Sequence, residues 1–205
     1  MQIDFLLGVM TMCGRFYVDE SMEMKIWDVV RESDRKSRVL VVGEIKPSNT
    51  SLIIKDSRHV LDVEAMTWGF HKPTGSELII NARSESVTDK SMFRDGILQR
   101  RCVIPASEFY EWNRQKEKVT FKREDSSILF MAGFYQRYEE GNRFVILTTN
   151  ANESMRPVHD RMPVILEETE LKDWIYDVEF MREALRRVPR KLCREQEYEQ
   201  QSFLF

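Results

Sequence analysis

The stretch ILFMAGFYQRYEEGNRFVILTT, residues 128–149, contains two apolar runs separated by the polar turn signal Glu140-Gly141-Asn142. Runs rich in β-branched and aromatic residues predict strands, here at 128–135 and 144–149. Similar short runs precede this pair, at 38–42, 51–55, 60–70, 101–104 and 119–123. Because regular helical crossovers are missing between them, the pattern predicts an α+β fold with a mainly antiparallel, β-barrel-like core.

Helices are predicted at the periphery of this core. Met22, Ile26 and Val29 recur at helical spacing. Asp19 precedes them and is of a residue type that caps helix N-termini. Segments 84–98, 168–176 and 178–187 also suit helices. With 205 residues and neither an internal repeat nor a linker, the chain has the length of a single domain with its own core.

The composition is that of an ordinary soluble protein, with 42% hydrophobic residues, 32% charged residues and a net charge of −3. This balance excludes a chain that is basic overall, although a local basic groove is compatible with it. The cysteines are odd in number and far apart, which argues against a disulfide framework or a paired metal site: Cys13, Cys102 and Cys193. The histidines show no metal-ligand spacing. We therefore expect no metal, no cofactor and a cytoplasmic location.

Residues 1–11 form a separate segment in this interpretation, followed by one domain at 12–205. The segment contains the apolar run FLLGVM at 5–10, which is too short to span a membrane. It also lacks the positive region of a signal peptide and carries Asp4 instead. The sequence leaves two interpretations of this segment open: an extension from an upstream start site, and a functional leader.

Four polar clusters interrupt the apolar runs and are candidates for chemistry. They are Cys13-Gly14-Arg15-Phe16, residues 80–85 (INARSE), residues 105–112 (PASEFYEW) and residues 157–163 (PVHDRMP). Each also has an ordinary structural interpretation. A free cysteine is usually a small buried hydrophobe, Asn-Ala-Arg is compatible with a turn, an isolated histidine is more often structural, and Glu111 suits the surface of an alternating strand.

Together and in this order, the clusters resemble the SOS-response-associated peptidase (SRAP) family. The resemblance spans residues 12–166 and includes Trp68-Gly69 between the first two clusters. It implies an α+β fold around a barrel-like core, and a protein that binds single-stranded DNA and captures abasic sites. Residue by residue, it implies a nucleophile, a positioning amide and two acid–base groups: Cys13, Asn81, Glu111 and His159.

The chemistry of these residue types suits an aldehyde. An N-terminal Cys13 would carry an amine and a thiol on adjacent carbons, and such an aminothiol closes on an aldehyde to give a thiazolidine. Held between two aromatic neighbours, Glu111 is expected to have a raised pKa and to donate protons near neutrality. His159 can shuttle protons, and the Asn81 amide can orient the amine without titrating. Twelve residues precede Cys13, so this chemistry requires their removal.

Three arginines lie within two residues of the implied catalytic positions and are candidates for phosphate contacts: Arg15, Arg83 and Arg161. The alternative for them is internal ion pairing, with partners such as Glu85 or Asp160. Pro47 matches a DNA-contact segment of the family. The asparagine typical of that segment is absent here, and Glu44 would repel phosphate if it faced the DNA.

Two further features bear on the DNA interface. The family usually has a second tryptophan shortly after Trp68-Gly69, and none occurs here before Asn81. A basic run near the C-terminus, between Arg182 and Arg194, is mixed with acidic residues. It is interpreted as a solvated helix rather than as a second nucleic-acid patch.

Three functions remain open from the sequence. The first is a monomeric protein that binds single-stranded DNA containing abasic sites, crosslinks to the lesion through Cys13 and acts at the nucleoid during repair. Weak lyase activity is compatible with it. The second is a cysteine peptidase that removes its own leader by attack of Cys13 on the Met12 carbonyl. The third is a non-catalytic single-strand-binding module in which Cys13 stays blocked.

Overall fold

The computed structural model describes residues 14–30, 41–124 and 128–196. Their strands, in chain order, are β1 Arg15–Val18, β2 Gly43–Ile45, β3 Thr50–Ser57, β4 Val60–Trp68, β5 Phe70–His71, β6 Leu78–Ile79, β7 Asn81–Arg83, β8 Arg101–Ala106, β9 Glu108–Trp112, β10 Lys118–Lys122, β11 Leu129–Tyr138, β12 Gly141–Asn150, β13 Arg161–Pro163, β14 Ile165–Leu166 and β15 Cys193–Gln196. Their helices are α1 Met22–Val29, α2 Ser91–Gln99, α3 Leu171–Tyr176 and α4 Val178–Arg186, with a 3-10 turn, Glu168–Glu170, before α3.

Five strands close into a barrel in the order β12-β4-β3-β8-β11, and the β11–β12 hairpin completes the ring. The pairings within it are antiparallel except for the short β4–β12 contact. The prediction of an α+β fold with a mainly antiparallel, barrel-like core is therefore confirmed.

A glycine inside β11 allows the barrel to close tightly. A Cβ atom at Gly133 would lie 2.5 Å from the Val145 carbonyl oxygen and 2.5 Å from Ile104 Cδ1. The Val145 carbonyl belongs to the backbone of β12, which is paired with β11, so it cannot move aside without disturbing the ring. Only glycine fits this close approach of strands.

A second sheet, in the order β15-β10-β9-β1-β2, packs against the barrel. The chain passes from barrel strand β8 into β9 at Ser107, whose backbone N–H and hydroxyl both donate to the Tyr17 carbonyl at 2.9 Å. The buried Phe16 ring of β1 lies 5.2 Å from the ring of Trp68 at the end of β4. One continuous core therefore joins the two sheets.

Several predicted boundaries are wrong. The helix after Asp19 begins only at Met22, and the Asp19 carboxylate accepts from the Ser21 backbone N–H at 2.7 Å, which closes a turn before the helix. The segment predicted as one helix at 84–98 starts with turns and becomes helical only in α2. The run at 60–70 is divided at Gly69, whose φ is +102°. The run predicted at 38–42 falls mostly outside the described residues, and 41–42 are not in a strand.

Candidate functional site

Glu111 lies on the inner face of the second sheet, where it is only 4% exposed. The register of β9 places it opposite Val119 and on the same face as Phe109, whose ring stacks on Phe121 at 5.2 Å. The surface interpretation of this carboxyl group is therefore wrong. The expected clamp by its two aromatic neighbours is also wrong, because successive side chains of a strand point to opposite faces.

The antiparallel register of β1 and β9 brings the start of the described chain to Glu111. Arg15 pairs with Tyr110, so the same register sets Gly14 opposite Glu111. Cys13 is bonded to Gly14 but lies outside the described residues, as do the leader and Met12. The predicted nucleophile is thus bonded to the residue that this register, extended by one position, sets opposite Glu111 on the neighbouring strand.

Arg15 is on the outer face of this sheet, away from Glu111. Its guanidinium carbon lies 5.1 Å from the centroid of the Trp112 ring, and its Nη1 donates to Glu44 Oε1 at 3.0 Å. Lys46 also binds Glu44, at 2.9 Å, and the hydrogen bond from its side chain is the main cause of the lowered pKa of Glu44. The negative charge expected to repel phosphate is thus balanced by two cations.

Asn81 and Arg83 occupy one face of β7, with Ala82 turned into the core between them. This strand joins β12 in parallel, which sets Asn81 beside Ile146. The Asn-Ala-Arg motif is therefore a strand and not a turn. The Arg83 side chain is exposed and forms no hydrogen bond or ion pair with the residues that the structure describes.

Arg161 is held by internal partners. Its Nη1 and Nη2 donate to the two carboxylate oxygens of Glu85 at 2.6 and 2.8 Å. Nη1 also donates to Asn150 Oδ1 and Nη2 to the Thr148 carbonyl, both at 2.7 Å. This is the ion-pairing alternative considered for the arginines. The Glu85 carboxylate has a lowered pKa chiefly because Arg161 hydrogen-bonds to it.

His159 is half-buried just before β13. Its Nδ1 lies 3.0 Å from the Arg161 backbone N–H and 2.9 Å from Asp160 Oδ1. These contacts require opposite protonation states of Nδ1. Burial lowers the pKa of His159, more than the Asp160 carboxylate raises it, so the ring is neutral near pH 7. Nδ1 then accepts from Arg161, and the proton of the neutral ring is on Nε2.

Strand β12 brings two of the clusters together. Its Thr148 pairs with Arg83 of β7 on one side and with Pro163 of β13 on the other. The Glu85–Arg161 ion pair then spans β12 between these flanking segments. Glu85 was named from the sequence as a possible ion-pair partner of the arginines, whereas Asn150, which also holds Arg161, was not assigned a role.

Trp68 connects this region to the sheet that carries Glu111. Its indole N–H donates to the Ile80 carbonyl at 2.9 Å, immediately before Asn81. Its ring packs on Phe16 of β1 and stacks on Phe144 of β12, with centroids 5.2 and 6.1 Å away. The side chain is fully buried, so it serves as a scaffold and is not available for stacking on a base.

Pro47 occupies a tight turn that is tied to the same tryptophan. The Asn49 N–H donates to the Lys46 carbonyl at 2.9 Å, and Ser48, with φ of 74°, takes the left-handed position of a type II turn. The Ser48 N–H donates to the Trp68 carbonyl at 3.0 Å. The DNA contact of Pro47 stays a prediction, as do those of Arg15, Arg83 and Arg161.

The described part of the chain contains neither a metal-binding cluster nor a membrane helix. Among residues 14–30, 41–124 and 128–196, no group of three or more histidine, cysteine, aspartate or glutamate side chains could hold a metal ion. Within the same ranges, no helix is long and apolar enough to cross a membrane.

Residues 12–201 match the sequence model of the SOS response associated peptidase (SRAP) family, and the chain belongs to this family. The predicted resemblance is confirmed. Abasic site processing protein YoqW of Bacillus subtilis (strain 168) is 34% identical over 185 residues, covering 80% of each chain. Abasic site processing protein YedK of Escherichia coli (strain K12) is 24% identical over 180 residues, covering 80% of this chain and 79% of YedK.

Solved structures share the fold. A protein from Bacteroides thetaiotaomicron superposes with a TM-score of 0.75 at 21% identity, covering 91% of this chain and 93% of the other. A phage-related protein from Bordetella bronchiseptica gives a TM-score of 0.71 at 21% identity, covering 90% of this chain and 94% of the other.

Proposed function

We propose that this chain processes abasic sites in single-stranded DNA by forming a covalent thiazolidine link through Cys13. The observation that carries the proposal is the buried carboxyl group of Glu111, which the register of β1 and β9 sets opposite Gly14, the residue that follows Cys13 in the chain. A carboxyl group on an apolar face of a sheet contributes nothing to packing, which favours a chemical role for it. The names of the relatives, abasic site processing proteins, support the same substrate.

The reaction begins with an open-chain abasic sugar. The α-amine of Cys13 adds to the aldehyde carbon, and loss of one water gives an imine. Glu111 protonates the departing hydroxyl group, and the thiolate then adds to the imine carbon to close the five-membered ring. The overall change is one C–N bond and one C–S bond formed, and one water released. The imine also allows β-elimination of the 3′ phosphate, which is the source of a weak lyase activity.

The residues around β12 take supporting roles. The Asn81 amide orients the amine or the developing oxyanion without changing its charge. Neutral His159 accepts the hydroxyl proton of the closed sugar and so favours ring opening. The exposed Arg83, whose side chain forms no hydrogen bond or ion pair with a described residue, binds a phosphate next to the lesion, whereas Arg161 holds its own segment through Glu85.

The proposal requires a chain that begins at Cys13, so the leader and Met12 must be removed. A self-cleaving peptidase, the activity in the family's name, fits this step. The Cys13 thiol attacks the Met12 carbonyl, the acyl group moves from nitrogen to sulfur, and water then releases it as the free leader. Processing of this kind precedes crosslinking and uses the same thiol.

Intact mass of the protein, expressed from its own gene and incubated with an oligonucleotide holding one abasic site, tests the proposal. We expect a chain that starts at Cys13 and gains the oligonucleotide mass less one water. Cys13→Ala should abolish this adduct while retaining affinity for an oligonucleotide with a tetrahydrofuran in place of the sugar, which has no aldehyde. A blocked chain that binds DNA without forming an adduct would favour the non-catalytic binding module.

Glu111→Gln tests the carboxyl group itself. Loss of a general acid slows proton transfer by about 100-fold or more, so adduct formation should slow by this factor without a matching loss of affinity. Glu108→Gln is the matched control, because Glu108 makes the same chemical change on the outer face of the same strand. An equal rate in the Glu111 variant and the control would remove Glu111 from the mechanism.

A further inference from the structure

A cavity of about 840 Å³ opens beside the candidate site. The ends of β7 and β12 form one wall, α2 another and α4 a third. Its polar lining includes Ser84, Thr149, Asn150, Arg94, Arg182 and Arg186. This size suits a nucleotide or a short stretch of a nucleic-acid strand.

Two guanidinium groups in this cavity lack partners among the described residues. The side chains of Arg94 in α2 and Arg186 in α4 are exposed and form no hydrogen bond or ion pair within that part of the chain. Other basic residues of the C-terminal run do have partners, since Arg187 binds Glu170 and Lys191 binds Glu153. The interpretation of that run as a solvated helix is correct only up to Arg186, where α4 ends.

The carboxylates in the lining do not cancel this positive charge. Glu85 is neutralised by Arg161, and Arg182 is engaged with Glu179 outside the cavity. Asp89 is then the one carboxylate of the lining that no cation among the described residues neutralises, and its side chain accepts a 3.4 Å hydrogen bond from the Thr88 hydroxyl group. Two unpaired cations face one carboxylate, so the cavity favours an anion.

A buried hydroxyl group in the same lining points to a ligand with acceptor oxygens. The Oγ atom of Ser84 is buried and has no hydrogen-bond partner among the residues that the structure describes, although the Ser84 backbone N–H donates to the Thr148 carbonyl at 2.8 Å. Buried polar groups in native proteins are nearly always satisfied, and an orphan hydroxyl group calls for an explanation. A phosphate oxygen accepts from serine and from guanidinium groups alike.

The cavity continues from the candidate site. It begins at the residue after Arg83, and its Glu85 and Asn150 are the residues that hold Arg161. We propose that this cavity binds a phosphodiester group of the DNA strand near the abasic sugar, through Arg94, Arg186 and the Ser84 hydroxyl. This inference rests on the proposed function for the identity of the strand, and it adds a second point of attachment.

The first test removes the two unpaired charges. The double variant Arg94→Gln/Arg186→Gln is compared with Arg137→Gln/Lys172→Gln, which removes two exposed cations outside the cavity. Affinity for a tetrahydrofuran-containing single strand is measured by fluorescence anisotropy over a range of salt concentrations. We expect about a tenfold loss in the cavity variant, and a salt slope smaller by about 0.7, the value for one single-strand phosphate contact. The control should match the wild-type protein.

A second variant, Ser84→Ala, separates binding from folding. Removing an unsatisfied hydroxyl group should leave the denaturation midpoint unchanged or higher, whereas DNA affinity should fall. Wild-type affinity and salt slope in both cavity variants would overturn the proposal. A second result would also overturn it. If a deoxynucleoside monophosphate raised the melting temperature of the wild type but not of the Arg94/Arg186 variant, and both proteins bound DNA equally well, the cavity would be a site for free nucleotides.

The anisotropy measurement also distinguishes the proposed cavity from the proposed covalent function. Anisotropy with the tetrahydrofuran strand requires no aldehyde and no Cys13 chemistry, so it tests the cavity alone. A wild-type protein that binds this strand but forms no adduct with an abasic site would contradict the covalent function. The cavity would then still be tested by comparing the DNA affinities of the wild type and the cavity variants. A protein that forms the adduct, with equal affinities in the cavity variants and the wild type, would keep the function and exclude the cavity.

Discussion

The Glu85–Arg161 ion pair should be a measurable source of stability, and a double-mutant cycle tests this. The Arg161 guanidinium donates four hydrogen bonds shorter than 3 Å, two of them to Glu85. The Arg161 side chain is 12% exposed and the Glu85 side chain 45%. Breaking a fully buried pair costs about 3–5 kcal/mol, whereas exposed pairs contribute about 0.2–1 kcal/mol. Because Glu85 is partly solvated, we expect about 2–3 kcal/mol for Arg161→Gln and a coupling energy of about 1–2 kcal/mol with Glu85→Gln.

The pH dependence of this coupling gives a second check with a definite sign. The pKa of Glu85 is lowered in the folded protein, mainly by the hydrogen bonds from Arg161. A group of this kind contributes its full stability above its ordinary pKa of 4.5 and loses it as the pH falls through the folded-state value. The coupling energy should therefore be equal at pH 7 and pH 6 and should decrease below pH 4.5.

Urea denaturation of the wild type, the two single variants and the double variant gives the coupling energy at each pH. The matched control is the same cycle on Glu179 and Arg182 of α4, whose side chains are 77% and 54% exposed. That pair should couple by no more than about 0.5 kcal/mol. A Glu85–Arg161 coupling as small as the control, or one that does not change as Glu85 titrates, would refute the reasoning.

Two further predictions concern a helix anchor and the histidine. The buried Arg101 guanidinium donates to four carbonyls, of Ile97 and Leu98 at the end of α2 and of Trp174 and Ile175 at the end of α3. Arg101→Lys leaves several of these acceptors without donors and should lower the free energy of unfolding by about 3 kcal/mol in urea, whereas Arg100→Lys should cost far less. Because burial lowers the pKa of His159, the rate of adduct formation should fall on acidification with a midpoint below pH 6.5. In the His159→Gln variant this decrease of the rate at acidic pH should be absent. A midpoint at or above 6.5 would contradict the neutral imidazole.

The barrel could be predicted from the sequence because its strands are locally marked. The two runs in 128–149 and the glycine turn between them correspond to β11, Gly141 and β12, and the strand type was correct for most of the other runs. Closure could not be predicted, because it depends on the space between β11 and its two neighbours at Gly133. Asp19 was misplaced because a side chain that accepts the N–H two residues later closes a turn as readily as it caps a helix.

The environment of the candidate site could not be predicted from the sequence. Glu111 could be singled out between its two aromatic neighbours, but its surroundings depend on which face of β9 packs on the core. The partners of Arg161 lie 11 and 76 positions away in the chain, at Asn150 and Glu85, and become neighbours only through the pairing of β7, β12 and β13. Sequence spacing alone could not choose between phosphate and carboxylate for this guanidinium group.

The position of β1 in its sheet bears on the reactivity proposed for Cys13. Most chain ends fray, but β1 is hydrogen-bonded on both edges, to β9 and to β2, and its Phe16 ring is locked against Trp68. Folding therefore removes conformational entropy from the residues of β1, about 1–2 kcal/mol for each ordered residue, before any substrate arrives. In the proposed reaction Cys13 precedes this strand by two positions, so the folding of a central strand would contribute to the effective molarity of the reacting group.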